Sequence, residues 1–122
     1  MKKTELIGDF LNDVREQRLF REQKAAEWPD DDRNARCAEG LAELHTWVSE
    51  RPANDPLIVR LDHALEALYA DDVDSGGFVP MVTDRLARFR FHNGPPESCE
   101  DFIVRLTEAI EAYVKSEKEE EE

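Results

Sequence analysis

Residues that interrupt helices fall in four places along this chain: Pro29, the stretch from Pro52 to Pro56, Gly76-Gly77, and Gly94-Pro95-Pro96. Proline removes a backbone donor and clashes with the preceding turn, and adjacent glycines make a helix unfavourable to continue, so these positions divide the chain into five segments. Within each segment apolar residues recur at spacings of three and four, the period of a helix that buries one face. No stretch alternates apolar and polar residues for long enough to be a strand, and no internal repeat is visible. The expected fold class is all-α, a compact bundle of four to five amphipathic helices.

Local chemistry marks where each helix starts. Thr4 is a candidate N-cap for a first helix reaching about Glu27, with Leu6, Ile7, Phe10, Leu11 and Val14 on one stripe that Ala25 and Trp28 rejoin. Leu19 and Phe20 lie off that stripe, so either the helix bends near Arg18 or these two side chains serve a second surface. A second helix opens after Asp30-Asp31-Asp32, where carboxylates suit free N–H groups and the positive end of the dipole, and presents Cys37, Ala38, Leu41, Leu44, His45 and Val48. Asn54-Asp55-Pro56 combines a capping residue with proline at the first helical position and starts a third helix through about Ala70, with Leu57, Ile58, Leu61, Ala64, Leu65, Leu68 and Tyr69 facing inward.

The turn-forming run from Asp71 to Gly77 leads to a short fourth helix with a stripe of Phe78, Val82, Leu86 and Phe89, ending before Asn93. Ser98, with Asp101 in place of the usual Glu or Gln, opens a fifth helix, whose face is Phe102, Ile103, Leu106, Ala109, Ile110 and Tyr113. The reading is one helical domain over residues 1–114 and an acidic tail over 115–122, fraying from Lys115 and expected to be disordered.

Charge limits the partners. With 29 Asp plus Glu against 16 Lys plus Arg, the chain carries a formal charge of −13, which repels phosphate backbones and anionic membrane surfaces. Direct nucleic-acid binding and membrane binding are therefore not expected. No apolar run approaches the ~18–20 residues of a membrane-spanning helix, and the basic start at Met1-Lys2-Lys3 meets Glu5 before any signal-type apolar region. A cytoplasmic protein with Cys37 and Cys99 as reduced thiols is the expectation. The charge is unevenly spread: the first twenty-four residues hold six basic side chains and five acidic ones, so the negative excess lies beyond Lys24.

Motifs for chemistry are weak. Asp72, Asp74 and Gly77 match the first, third and sixth positions of an EF-hand calcium loop, but Gly76 offers no side-chain oxygen at the fifth and Thr83 replaces the bidentate Glu at the twelfth. His45, His63 and His92 lack zinc-ligand spacing; His45 reads as a packed histidine with one hydrogen bond and His63 as exposed. The chain has no nucleophile elbow, phosphate loop or cysteine–histidine signature, and Asp62 with Glu66 reads as a solvated helix face rather than an acid–base pair. No catalytic, cofactor-binding or metal-binding residue is assigned, and no cofactor is expected.

Apolar residues off the stripes are more informative. Leu19, Phe20, Trp47, Met81 and Phe91, with the basic face of Arg85 and Arg88, form the candidate partner-binding set, and Phe20 and Trp47 are the preferred anchors because aromatic side chains dominate binding hot spots. The expected function is a small, acidic, non-enzymatic interaction module engaging a basic protein partner, of the inhibitor, immunity-protein, antitoxin or adaptor kind. A nucleic-acid mimic that inhibits a DNA- or RNA-binding protein, such as a bacterial defence component, is the first alternative. A self-associating helical bundle is the second.

Overall fold

The computed structural model describes residues 4–71, 78–88 and 98–120, with side chains throughout these ranges except at residues 71 and 117–120. Five α-helices follow one another: α1 (Glu5–Glu27), α2 (Arg33–Glu50), α3 (Pro56–Asp71), α4 (Phe78–Ala87) and α5 (Cys99–Glu120). The Asp72–Gly77 turn with its partial calcium-loop match, and Phe89, Phe91 and His92, lie outside the described residues.

The helix starts follow the local signals. Thr4 caps α1 by accepting from the Ile7 amide at 3.4 Å, and its hydroxyl donates to Asp62 on α3, tying two helices at one end. Asp55 accepts from the Leu57 and Ile58 amides at 2.9 and 3.4 Å, and Ser98 accepts from the Asp101 amide at 3.1 Å. The start of α2 differs in detail. Asp32 occupies the N-cap position without a capping bond and holds Arg36 instead, while Asp31 accepts from the Arg33 amide at 3.0 Å. Helix α5 runs through Glu120, past the Lys115 position where the sequence places fraying.

The short turn after α1 returns α2 along it as an antiparallel hairpin, and the other helices pack around this pair. All five contribute to one core: Ile7, Phe10 and Val14 from α1; Leu41, Leu44 and Val48 from α2; Ile58, Leu61 and Leu65 from α3; Val79 and Ala87 from α4; Phe102, Ile103, Leu106 and Ile110 from α5. Arg60 clamps Glu111 with two hydrogen bonds across α3 and α5, and the Phe78 and Tyr113 rings stack at 4.1 Å between α4 and α5.

Two stripes depart from expectation. On α4 the fully buried residues are Val79, Thr83 and Ala87, whereas Phe78, Val82 and Leu86 are half-buried at the edge of the core. The helix is thus rotated by about one residue, ~100°, from the orientation its larger side chains suggest. On α1 the apolar stripe does not resume at its end: Ala25 is half-buried and Trp28 is 64 % exposed. Beyond Val14 the inward positions are polar, and Gln17 and Arg21 hold α4 there.

Two substitutions test this packing. Gly8 sits in the exposed face of α1, and a Cβ added there meets nothing within 4 Å. Gly8→Ala is expected to stabilise the fold by about 0.5–1 kcal/mol, because it lowers the entropy of the unfolded chain without strain in the helix. Thermal unfolding followed by circular dichroism reads this as a higher midpoint. Thr83 is fully buried and its hydroxyl has no hydrogen-bond partner among the described residues. Thr83→Val keeps the shape and removes a desolvated polar group, so a gain of about 1 kcal/mol in urea unfolding is expected, and a loss would show that the hydroxyl is bonded.

Candidate functional site

The described members of the sequence-derived partner set do not gather at one site. Leu19, Phe20 and Met81 are 47 %, 51 % and 47 % exposed, and Arg85 on α4 and Arg88 just past its end are exposed. Phe20 and α4 flank a polar seam. Gln17 donates to the Pro80 carbonyl at 3.1 Å and to Asp13 at 3.0 Å; Arg21 donates to Asn34 at 3.0 Å and to Asp84 at 2.8 Å. Pro80 is accommodated because it lies in the first turn of α4, where its missing N–H has no helical acceptor to serve.

The chemistry of this seam is structural. The Arg21 side chain is 11 % exposed and joins α1, α2 and α4 through its two bonds. Arg88 approaches the other Asp84 oxygen at 3.6 Å, so part of the basic face of α4 is matched within the chain. The Arg21 guanidinium and the Lys24 ammonium each lie 5.6 Å from the centre of the Phe20 ring, which therefore already has cations of its own helix on it. Burial is the main cause that pushes the Asp13 carboxyl above its ordinary value, with Glu16 and Asp84 adding to it against the Gln17 bond. Cys37 is fully buried in the core, where burial pushes its thiol up to about 11.

Trp47 belongs elsewhere. It packs against the core and, with Glu39, Ala42, Glu43, Thr46, Glu50 and Cys99, lines an open groove of about 460 Å³ along the outer side of α2. None of Leu19, Phe20 or Met81 borders it. Ala42, Trp47 and Cys99 are half-buried in it, and the exposed Glu39, Glu43 and Glu50 lie between Ala42 and Trp47 on the α2 face. Among the described residues no basic side chain pairs with Glu39, Glu43 or Glu50. Arg51, next to Glu50 in sequence, places its guanidinium 5.1 Å from the centre of the Trp47 ring, and Arg36, a turn before Glu39, pairs with Asp32. Burial raises the Cys99 thiol above its ordinary value and the nearby Glu43 charge adds to the effect, which places that carboxylate's field in the groove.

Glu39 and Glu43, one turn apart, repel each other by roughly 0.2–0.5 kcal/mol, a small destabilisation of α2 that an arriving cation would relieve. The sequence pattern held a partial sign of this groove: Trp47 has Glu39, Glu43 and Glu50 at helical spacing, and Arg36, the basic residue on that face of α2, lies a turn before Glu39 and pairs with Asp32. Cys99 had no such sign, because its place in the groove depends on how α5 meets α2.

Other chemistry is sparse among the described residues. No three His, Cys, Asp or Glu side chains are grouped to hold a metal ion, and no helix is long and apolar enough to cross a membrane. His45 is half-buried and 3.5 Å from the Ser49 hydroxyl, and His63 is exposed. The fold and groove define an all-α five-helix bundle with an acid-lined groove on α2. Compared with protein-family models, curated proteins and solved structures, the chain has no match in any of the three.

Proposed function

We propose that this chain is a non-enzymatic interaction module whose acidic surface engages a basic protein partner, acting by occlusion or scaffolding as an inhibitor, immunity protein, antitoxin or adaptor does. The observation that carries the reading is the α2 groove, where three glutamates that make no salt bridge among the described residues stand beside Trp47, whose ring already carries the Arg51 guanidinium. A partly apolar lining supplies binding energy and slows release; the glutamates, backed by a net charge of −13, speed encounter with basic surfaces and reject acidic ones.

The test compares the tagged chain with its Glu39→Lys/Glu43→Lys variant in capture from the source lysate, washed at low and then high salt. Both substitutions fall on exposed positions of α2 and leave the core untouched. A stoichiometric basic partner held through high salt by the parent and weakened roughly tenfold or more in the variant is the expected result. Equal capture by both, or an acidic partner, refutes the reading. Basic nucleic-acid-binding proteins released by salt and displaced by DNA would point to a mimic.

A further inference from the structure

Helix α4 is held differently along its two edges. Pro80 and Asp84, one turn apart, form the edge toward α1, where the bonds are polar: Gln17 donates to the Pro80 carbonyl and Arg21 to Asp84. Phe78, Val82 and Leu86, also at helical spacing, form the opposite edge, half-buried against the core, with the Phe78 ring stacked on Tyr113 of α5. The inward strip between the edges is small. Every other helix buries Leu, Ile or Phe side chains, whereas α4 buries Val79, Thr83 and Ala87. Apolar stabilisation scales with buried area, so this strip holds the core less firmly than its neighbours do. Closure also leaves the Thr83 hydroxyl and the Gln17 side-chain carbonyl oxygen desolvated and without a hydrogen-bond partner among the described residues, and opening returns both to water.

We propose that α4 is a latched lid: its α1 edge swings away from the bundle as a unit, pivoting on the apolar edge that carries Phe78, while the other four helices stay folded. Gln17 and Arg21 are the latch. Elements with few buried apolar contacts open ahead of the whole domain, and here the polar bonds that oppose opening sit on one edge only. The Arg21 bond is the stronger of the two, because it joins charged groups and its guanidinium is 11 % exposed. Opening brings the inner strip of α4 into water together with Cys37, the fully buried α2 residue whose thiol feels the charges of Arg21, Asp84 and Arg88.

The experiment follows two rates in the full chain, from no urea to the foot of the unfolding transition: maleimide alkylation of Cys37, separated from that of Cys99 by peptide mass mapping, and hydrogen exchange of the amides from Val82 to Ala87. The Cys37 rate is expected to be nearly flat in low urea, because local opening exposes little surface, and the α4 amides are expected to follow it while those of α2 and α5 stay protected. Arg21→Ala is expected to raise both rates roughly tenfold. Gln17→Ala removes the Pro80 bond, leaves Asp84 bonded and is expected to raise both roughly threefold. Circular dichroism without urea checks each variant, and Gln17→Ala carries the test if Arg21→Ala does not fold.

A Cys37 rate that climbs with urea as steeply as global unfolding means that α4 leaves only with the whole bundle. Rates unmoved in the folded variants mean that the seam is no latch. Either result overturns the lid, as does protection of the α4 amides equal to that of α2 and α5.

Discussion

Phe102→Ala is expected to destabilise the protein by about 3–5 kcal/mol, the loss found when a buried aromatic ring is removed and the surrounding core relaxes only partly. Phe102 is 1 % exposed and lies in the first turns of α5, within the cluster to which all five helices contribute. Total stabilities of domains run to ~5–15 kcal/mol, so this single change removes a large fraction of the whole. Urea unfolding followed by circular dichroism checks it: the midpoint falls strongly while the slope stays the same, as in a native state that is weakened without a change in the surface exposed on unfolding. A loss below about 1 kcal/mol would mean that Phe102 is not a core residue.

Arg21→Ala is expected to cost about 1–3 kcal/mol, the range for a hydrogen bond to a charged group left without its partner. The side chain is 11 % exposed and its removal strands Asn34 on α2 and Asp84 on α4 together. Asp84 is 37 % exposed and has Arg88 at 3.6 Å, so water and a second cation soften the loss and keep it below the values for fully buried pairs. A double-mutant cycle with Asp84→Asn isolates the pair, with an expected coupling of roughly 1 kcal/mol. The Arg60–Glu111 clamp is the internal control: both side chains are well exposed, at 44 % and 43 %, and the same cycle there is expected to give a smaller coupling despite its shorter contacts.

Phe20 and Trp47 show where a reading of residues alone reaches its limit. Both are aromatic residues off the main stripes, and their spacing treats them alike. In the structure both rings carry a neighbouring cation, but Phe20 is exposed while Trp47 is half-buried and lines a groove beside three glutamates. The difference comes from what lies opposite each of them in space. For Trp47 that includes Cys99 at the start of α5, which is distant in sequence. Leu19, Met81, Arg85 and Arg88 are exposed and none of them lines Trp47's groove, so the candidate set does not gather at one site.

While the count of four to five helices was settled at five by the structure, the all-α class and the helix starts at Thr4, Asp55 and Ser98 were determined by the sequence itself. These features depend on interactions within one turn: proline and glycine deny a helix its next bond, and a side-chain oxygen satisfies an amide two or three residues ahead. The rotation of α4 was decided by tertiary structure. Its apolar residues offer two adjacent stripes, and the seam from Gln17 and Arg21 to Pro80 and Asp84 selects the one that places Val79, Thr83 and Ala87 inward. The polar end of the α1 stripe and the groove on α2 have the same origin. Helical period fixes which residues share a face, but the direction that face takes depends on the helices packed against it, and that information is spread over residues far apart in the chain.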